Sequence, residues 1–357
     1  MKNFPTTCIV ASIFLIAILG CGGLKNLIPK PGQYFQGDSA QKAAKAIRDK
    51  IGKPFNTIEV FIDDSEFRVQ AQDPNNPKHV DEYKYVAGMV TGPTPVQLSS
   101  LVSDPDKSSY PFDDIDFSAI PKFTKEALDK AGIEGGRIYR LTFQRGFAIT
   151  DKSVGALGKP YWNIEINGSR ENVTAAADPK GNLLGVDLSR TSKANDYTVL
   201  AKPELQKAQD ALRNYLASRP VIEITMYDKS ITCKVANMEN PKVTDSVKYD
   251  INGLSSGDLV KLPNIQIPGD ENFQMSDVDL ANAADWIEKA KDRVSMPDST
   301  LAVLIIKRNK SPFNNKGYRT LWDINLKSGV KEASITYDNS GNEVRITKNG
   351  DTIFEEK

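Results

Sequence analysis

Two stretches of this chain carry the same alternation of apolar and polar residues. In Tyr161-Trp162-Asn163-Ile164-Glu165-Ile166 the apolar Trp162, Ile164 and Ile166 fall on every second position, and in Leu321-Trp322-Asp323-Ile324-Asn325-Leu326 so do Trp322, Ile324 and Leu326. A period of two places alternate side chains on opposite faces of a pleated strand, so each stretch predicts a strand with one buried and one wet face. After a second alternating run, Val173–Ala177 or Ile335–Tyr337, come Asp178-Pro179-Lys180-Gly181-Asn182 and Asp338-Asn339-Ser340-Gly341-Asn342. Asp-x-x-Gly is turn chemistry, because Asp can bond its own following backbone and Gly accepts positive φ. Trp322 lies 160 residues after Trp162, and Gly341 lies 160 after Gly181, so the pattern is a repeat.

The repetition reaches well beyond the two tryptophans. At a spacing of 164, Ile58-Glu59-Val60 matches Ile222-Glu223-Ile224, Asp64 matches Asp228, Pro77-Lys78 matches Pro241-Lys242, and Lys84-Tyr85 matches Lys248-Tyr249. Upstream, Ala46-Ile47-Arg48 matches Ala211-Leu212-Arg213 at 165; downstream, Asp114-Ile115-Asp116 matches Asp277-Val278-Asp279 at 163. Such small drifts belong in loops, where insertion costs least. Helical spacing appears twice per copy. Ala40, Ala43, Ala44, Ile47 and Ile51 predict a helix over 39–51, matched by Leu205, Ala208, Ala211, Leu212 and Leu216; Phe123, Ala127 and Ala131 predict one from near Ala119 to Gly132, matched by Ala283, Ile287, Ala290 and Val294. Between them, Ile58-Val60-Ile62, Phe67-Val69-Ala71 and Tyr139-Leu141-Phe143 alternate as strands. The expected class is α+β by tandem duplication, each copy built of helix plus antiparallel β-meander units with the helices packed on one sheet face. The copies span 39–190 and 200–357, joined by a linker over 191–199 with its boundary near Ala194-Asn195-Asp196.

The first residues differ in kind. Lys2 precedes an apolar run from Cys8 to Leu19, shorter than the ~20 residues of a membrane span and followed at once by small residues, which reads as a secretory signal over 1–20. Ile18-Leu19-Gly20-Cys21 resembles the lipobox of bacterial lipoproteins, with Leu19 larger than the usual residue there. That resemblance implies that Cys21 is lipidated and that 21–38, with Pro29 and Pro31, is a tether. Gly22 after the cysteine implies, by the same resemblance, an outer-membrane address in a two-membrane envelope. An ordinary signal with a chance cysteine is the alternative.

The segment from Pro121 to Asp187, with its helix, Trp162-Asn163-Ile164-Glu165-Ile166 and the run closing on Asp178-Pro179-Lys180-Gly181-Asn182-Leu183-Leu184, resembles the PepSY and PepSY-like modules of bacterial envelope proteins. Ala283 to Ile346 is similar. The tandem helix-plus-meander plan is also similar to the beta-lactamase inhibitory protein, a secreted non-enzymatic binder. The first half of each copy matches less well. The resemblance to the inhibitory protein implies a protein- or peptide-binding module.

Charge adds little. Lys and Arg together equal Asp and Glu at 46 each, so no overall field argues for nucleic acid, and 39% hydrophobic with 26% charged residues is ordinary for a folded chain. The chemical inventory is thin: the single histidine, His79, falls in a polar loop, its match is Val243, and no Gly-x-Ser-x-Gly elbow occurs. Asp113, Asp114 and Asp116, with Asp277 and Asp279, could offer oxygens to a hard cation, but each cluster precedes a predicted helix and capping accounts for it better. Cys233 lies on the apolar side of its alternation and reads as a small core residue. Trp162 and Trp322 read as core, with ligand stacking as the lesser reading. Lys307-Arg308-Asn309-Lys310, with Arg145 matching Arg308, reads as a solvated strand edge. No catalytic residue, metal or cofactor is expected.

Where the copies differ on a polar face, a residue has no duty common to both folds. Phe61 falls with Glu59 and Asp63, opposite in phase to Ile58, Val60 and Ile62, and its match is Thr225. It is the candidate partner-binding residue; coverage by a second layer or by the other copy is the alternative. The expected function is a lipid-anchored envelope protein acting as a non-enzymatic binding, inhibitory or scaffold module, with a carrier of an apolar ligand as the alternative.

Overall fold

The computed structural model describes residues 32–98, 105–150, 153–237, 244–257, 271–310 and 317–356. The expected signal segment, Cys21 and most of the tether lie outside them. The chain divides into two compact units, one ending at Thr191 and the other beginning at Ser192.

Unit 1 carries two long helices, α1 (Ser39–Ile51) and α2 (Ile120–Ala131). Both end on a left-handed glycine, Gly52 at φ 73° and Gly132 at φ 51°, whose N–H donates to the carbonyls of Arg48 and Leu128. This is the stop that a Cβ-free residue permits at least cost. Its strands are β1 (Asn56–Asp63), β2 (Phe67–Asp73), β3 (Asn76–Val86), β4 (Met89–Pro95), β5 (Tyr110–Pro111), β6 (Arg137–Thr150), β7 (Ser153–Asn167), β8 (Asn172–Ala177) and β9 (Leu183–Asp187). Unit 2 repeats the plan with α3 (Lys202–Leu216), α4 (Asn282–Arg293), β10 (Val221–Tyr227), β11 (Ser230–Ala236), β12 (Thr244–Asp250), β13 (Gly253–Gly257), β14 (Thr300–Lys310), β15 (Tyr318–Ser328), β16 (Lys331–Asp338), β17 (Glu343–Lys348) and β18 (Asp351–Glu355).

In each unit the two meanders fuse into one antiparallel sheet. The order is β4-β3-β2-β1-β6-β7-β8-β9, with β5 beside β1, in unit 1, and β13-β12-β11-β10-β14-β15-β16-β17-β18 in unit 2. The seam is the pairing of β1 with β6 and of β10 with β14. In unit 1, α1 lies over the β2–β4 half and α2 over the β6–β9 half, on the same face, so each fills half of one core. Ile47, Val60, Phe67, Phe123, Leu141, Trp162 and Ile164 are fully buried there, each side chain worth ~1.5–3 kcal/mol of transfer free energy.

Three bulges recur at equivalent places, at Thr57/Glu59 and Val221/Glu223, at Ile138/Arg140 and Leu301/Val303, and at Ala176/Ala177 and Thr336/Tyr337. The second corrects the expected alternation Tyr139-Leu141-Phe143. One extra residue reverses the phase of a strand, so Ile138 is buried at 7% exposure while Tyr139 is 45% exposed. A further correction concerns the tether. Its last residues are part of the unit 1 core: Tyr34 and Phe35 are buried, and Gly32 N–H donates to Asp64 Oδ1 at 2.6 Å. Burying two aromatic rings overrides the irregularity that Pro and Gly suggest. Within the segment read as a linker, Ser192–Asp196 is helical and Val199 is fully buried.

The Asp-x-x-Gly turn is built the same way twice. Asp178 N–H donates to Asn182 O and Gly181 N–H to Asp178 O, both at 2.9 Å, and Asp178 Oδ1 accepts from the backbone of Lys180 and Asn182 at 2.9 Å. Asp338, Ser340, Gly341 and Asn342 repeat every one of these bonds. Burial alone would raise the Asp178 carboxyl; the Asn182 amide and the N–H groups of Asn182, Lys180 and Gly181 outweigh it and hold the group below its ordinary value. Each turn also grips the segment before its helix. Lys180 Nζ donates to Asp114 O at 2.9 Å, and Asn339 Nδ2 to the matching Asp277 O at 3.0 Å.

Candidate functional site

On β1 the inward residues Val60 and Ile62 are fully buried, and Glu59, Phe61 and Asp63 occupy the opposite face. Phe61 stands opposite Arg68 on β2 and Thr142 on β6. The Arg68 guanidinium lies over its ring, 4.3 Å from the centroid, and the Arg140 guanidinium approaches at 5.8 Å. Arg140 is also 5.6 Å from the exposed ring of Tyr139, so aromatic and guanidinium groups succeed one another across the strands. Phe61 is half-buried, covered by arginines of its own sheet.

The two guanidinium groups are held in place by carboxylates. Arg140 makes a bidentate pair with Glu165, Nη2 to both oxygens at 2.5 and 2.6 Å and Nε to Oε1 at 3.0 Å. Arg68 lies among Glu59 at 3.3 Å and Glu66 and Glu82 at 3.5 Å, and Lys84 reaches Glu82 at 3.3 Å. Carboxylates thus surround the Arg68 guanidinium where it lies over the Phe61 ring, although its buried Nε makes no hydrogen bond among the described residues. Such a surface is suited to contacts with protein side chains, where Arg and aromatic groups dominate binding energy.

Unit 2 lacks the arrangement. Phe61, Arg68 and Arg140 correspond to Thr225, Thr232 and Val303. Its outer face carries short-range pairs instead, Lys234 with Glu223 at 2.6 Å and Lys307 with Asp323 at 3.3 Å. Sequence reasoning found Phe61 and missed its two partners, although all three positions differ together between the copies.

Other candidates take structural roles. Asp116 Oδ1 accepts from Ser118 N–H at 3.0 Å and caps the short 3-10 turn that leads into α2; Asp279 Oδ1 accepts from Ala281 N–H at 3.1 Å. Capping therefore falls one turn ahead of the expected helix starts, while Asp113 pairs with Arg48 at 2.5 Å. Among the described residues no group of three or more His, Cys, Asp or Glu could hold a metal. His79 sits exposed on β3 and not in a loop, near Asn76. The reading of 307–310 as a solvated edge is corrected: β14 is interior to its sheet, and Arg308 Nη1 donates to Asn272 O at 3.2 Å. Arg145 Nε does the same to the matching Ser109 O at 3.0 Å, so these arginines staple the sheet to the segment before each second helix.

Cys233 is fully buried, and burial pushes its thiol up to about 12. Trp162 and Trp322 have no exposed surface and so no free face for a ligand. Trp322 Nε1 donates to Asn339 Oδ1 at 3.1 Å; Pro179 occupies that place in unit 1, and Trp162 Nε1 finds no hydrogen-bond partner among the described residues. Grooves of about 470 and 520 Å³ lie at the surface beside α1 and α2.

No family model and no curated protein matches the chain. Among solved structures it is similar to the Bacillus megaterium YpeB C-terminal domain, 11% identical over 64% of this chain and 96% of that one, with a TM-score of 0.22. A score so low carries no argument about function.

Proposed function

We propose that the protein is a non-enzymatic protein- or peptide-binding module, held at the bacterial cell envelope by a lipid on Cys21. The observation that carries the binding reading is Phe61, placed on the outer sheet face under the Arg68 guanidinium, with a threonine in the matching place of unit 2. The inhibitor-like resemblance of the sequence supports the same class. An apolar carrier needs interior space, and the interiors are occupied by Trp162 and Phe143 in one unit and by Trp322 and Tyr337 in the other. Anchoring rests on the lipobox-like Leu19-Gly20-Cys21; acyl chains contribute ~0.8 kcal/mol per buried methylene, and two or more make attachment stable. The test is capture from envelope extract by the parent and by Phe61→Ala side by side. A protein retained by the parent and lost by the variant is expected; no Phe61-dependent capture contradicts the reading.

A further inference from the structure

The two units part at one sheet edge. β9 ends the sheet of unit 1, whereas its counterpart β17 is paired on its far side by β18. The two edges match in register: the bulges at Ala176/Ala177 and Thr336/Tyr337 correspond, and Val186 stands opposite Ala175 as Ile346 stands opposite Ile335. On β17, Phe354 sits opposite Ile346 and packs against the core, and Glu356 N–H donates to Val344 O at 2.8 Å. By the 160-residue correspondence, the Leu184 carbonyl and the Val186 backbone groups face off the β9 edge. No described strand pairs with that side.

The residues in the place of β18 turn away. Thr191 N–H and its hydroxyl both close on Leu188 O, at 3.0 and 2.7 Å, and Ser192–Asp196 is helical. β9 bulges at Leu184, but β17 carries the same bulge at Val344 and still pairs with β18, so the bulge does not close this edge. The β9 sequence Leu-Leu-Gly-Val-Asp has no proline or lysine, Leu184 is 63% exposed, and nothing lies within 4 Å of where a Gly185 Cβ would be.

We propose that β9 is a docking edge for an extended segment of another protein, added antiparallel in the register that β18 takes on β17. The fitting segment carries a large apolar residue opposite Val186, as Phe354 is opposite Ile346, with polar residues at alternate positions. Backbone hydrogen bonds then supply affinity and the apolar residue supplies selectivity. A second copy docking through its own β9 offers only Val186 at that position, already buried at 7% exposure in its own core. This edge is separate from the Phe61 face, and either can fail without the other.

The probe is a fluorescent peptide with the sequence Asp-Thr-Ile-Phe-Glu-Glu of residues 351–356, titrated against the full chain. Methylating the peptide nitrogen of its Phe removes a donor aimed at β9 and should weaken binding about tenfold, as should Phe to Ala; methylating that of its first Glu, which lies between the donors of Phe and the last Glu and so points away, should change little. Amide hydrogen exchange at Val186 should slow on binding, and Phe61→Ala should bind the peptide like the parent. Four results overturn the proposal: no binding at about 1 mM peptide, equal binding of both methylated peptides, slowing at Ile346 alone from exchange with β18, or a dimer of the chain that protects Val186 without peptide.

Discussion

Gly181 and Gly341 hold the same place in the two turns, at φ 82° and 80°, but their surroundings differ. A Cβ on Gly181 would lie 2.3 Å from the Cβ of Ala119 and 3.2 Å from the Phe123 ring, at the start of α2. On Gly341 it would meet only the Trp286 indole, at 3.3 Å and beyond. Both alanines incur the left-handed backbone cost of ~1–2 kcal/mol. Gly181→Ala adds overpacking of ~1–3 kcal/mol, because the helix start must move, whereas at Gly341 the nearest atom of the partly buried Trp286 is already 3.3 Å away and need yield little. The expected losses are about 2–5 kcal/mol for Gly181→Ala and about 1–2 kcal/mol for Gly341→Ala, near 2–4 °C of Tm per kcal/mol for units of this size. Urea titrations of parent and both variants measure the difference. A Gly181→Ala chain within about 1 kcal/mol of the parent, or one more stable than Gly341→Ala, refutes the packing argument.

Three further outcomes are expected. The Cys233 thiol moves from an ordinary 9.0 up to about 12 and the Tyr337 hydroxyl from 10.0 up to about 12, both by burial, so the fold holds their neutral forms. The stability they contribute is complete below the ordinary values and is lost as pH rises towards 12; melts from pH 8 upward should show Tm falling above pH 9, and a flat profile would contradict it. Cys21→Ser should remove acyl labelling and release or leave unprocessed the protein that the parent holds in the membrane fraction; an unchanged variant ends the lipid assignment. Trypsin should cut first within Ser189–Asp196, at exposed Arg190 or Lys193, leaving two fragments that keep sheet-rich circular dichroism; first cuts inside either sheet would show that the units are not independently stable.

Much of the fold was legible because each signal was local and appeared twice. The helix over 39–51 and the alternation at Trp162 and Trp322 need only spacing, and the Asp-x-x-Gly turn needs only its own side chain and one positive φ. What the sequence hid was long-range. Fusion of the meanders depends on the β1–β6 pairing, and the exposure of Tyr139 depends on a bulge that alternation alone does not reveal. Arg145 and Arg308 were visible as a matched pair, yet their carbonyl acceptors sit 36 residues away, so they passed for edge charges. At the candidate site Phe61 was legible from its phase and from Thr225. Arg68 is seven residues along the chain and Arg140 is 79, so only the register could place them over one ring.

Phe61→Ala tests the central claim most directly when folding and binding are measured on the same preparation. Losing a half-buried ring and its guanidinium contact should lower folding stability by about 1–2 kcal/mol, less than the ~3–5 kcal/mol of a core phenylalanine. With a protein captured from envelope extract as ligand, titration of the parent, Phe61→Ala and the matched control Thr225→Ala should show affinity falling about thirtyfold or more, ~2 kcal/mol, for Phe61→Ala alone. Equal affinity of all three chains, or a Phe61→Ala chain that loses a core residue's worth of stability, would contradict the account.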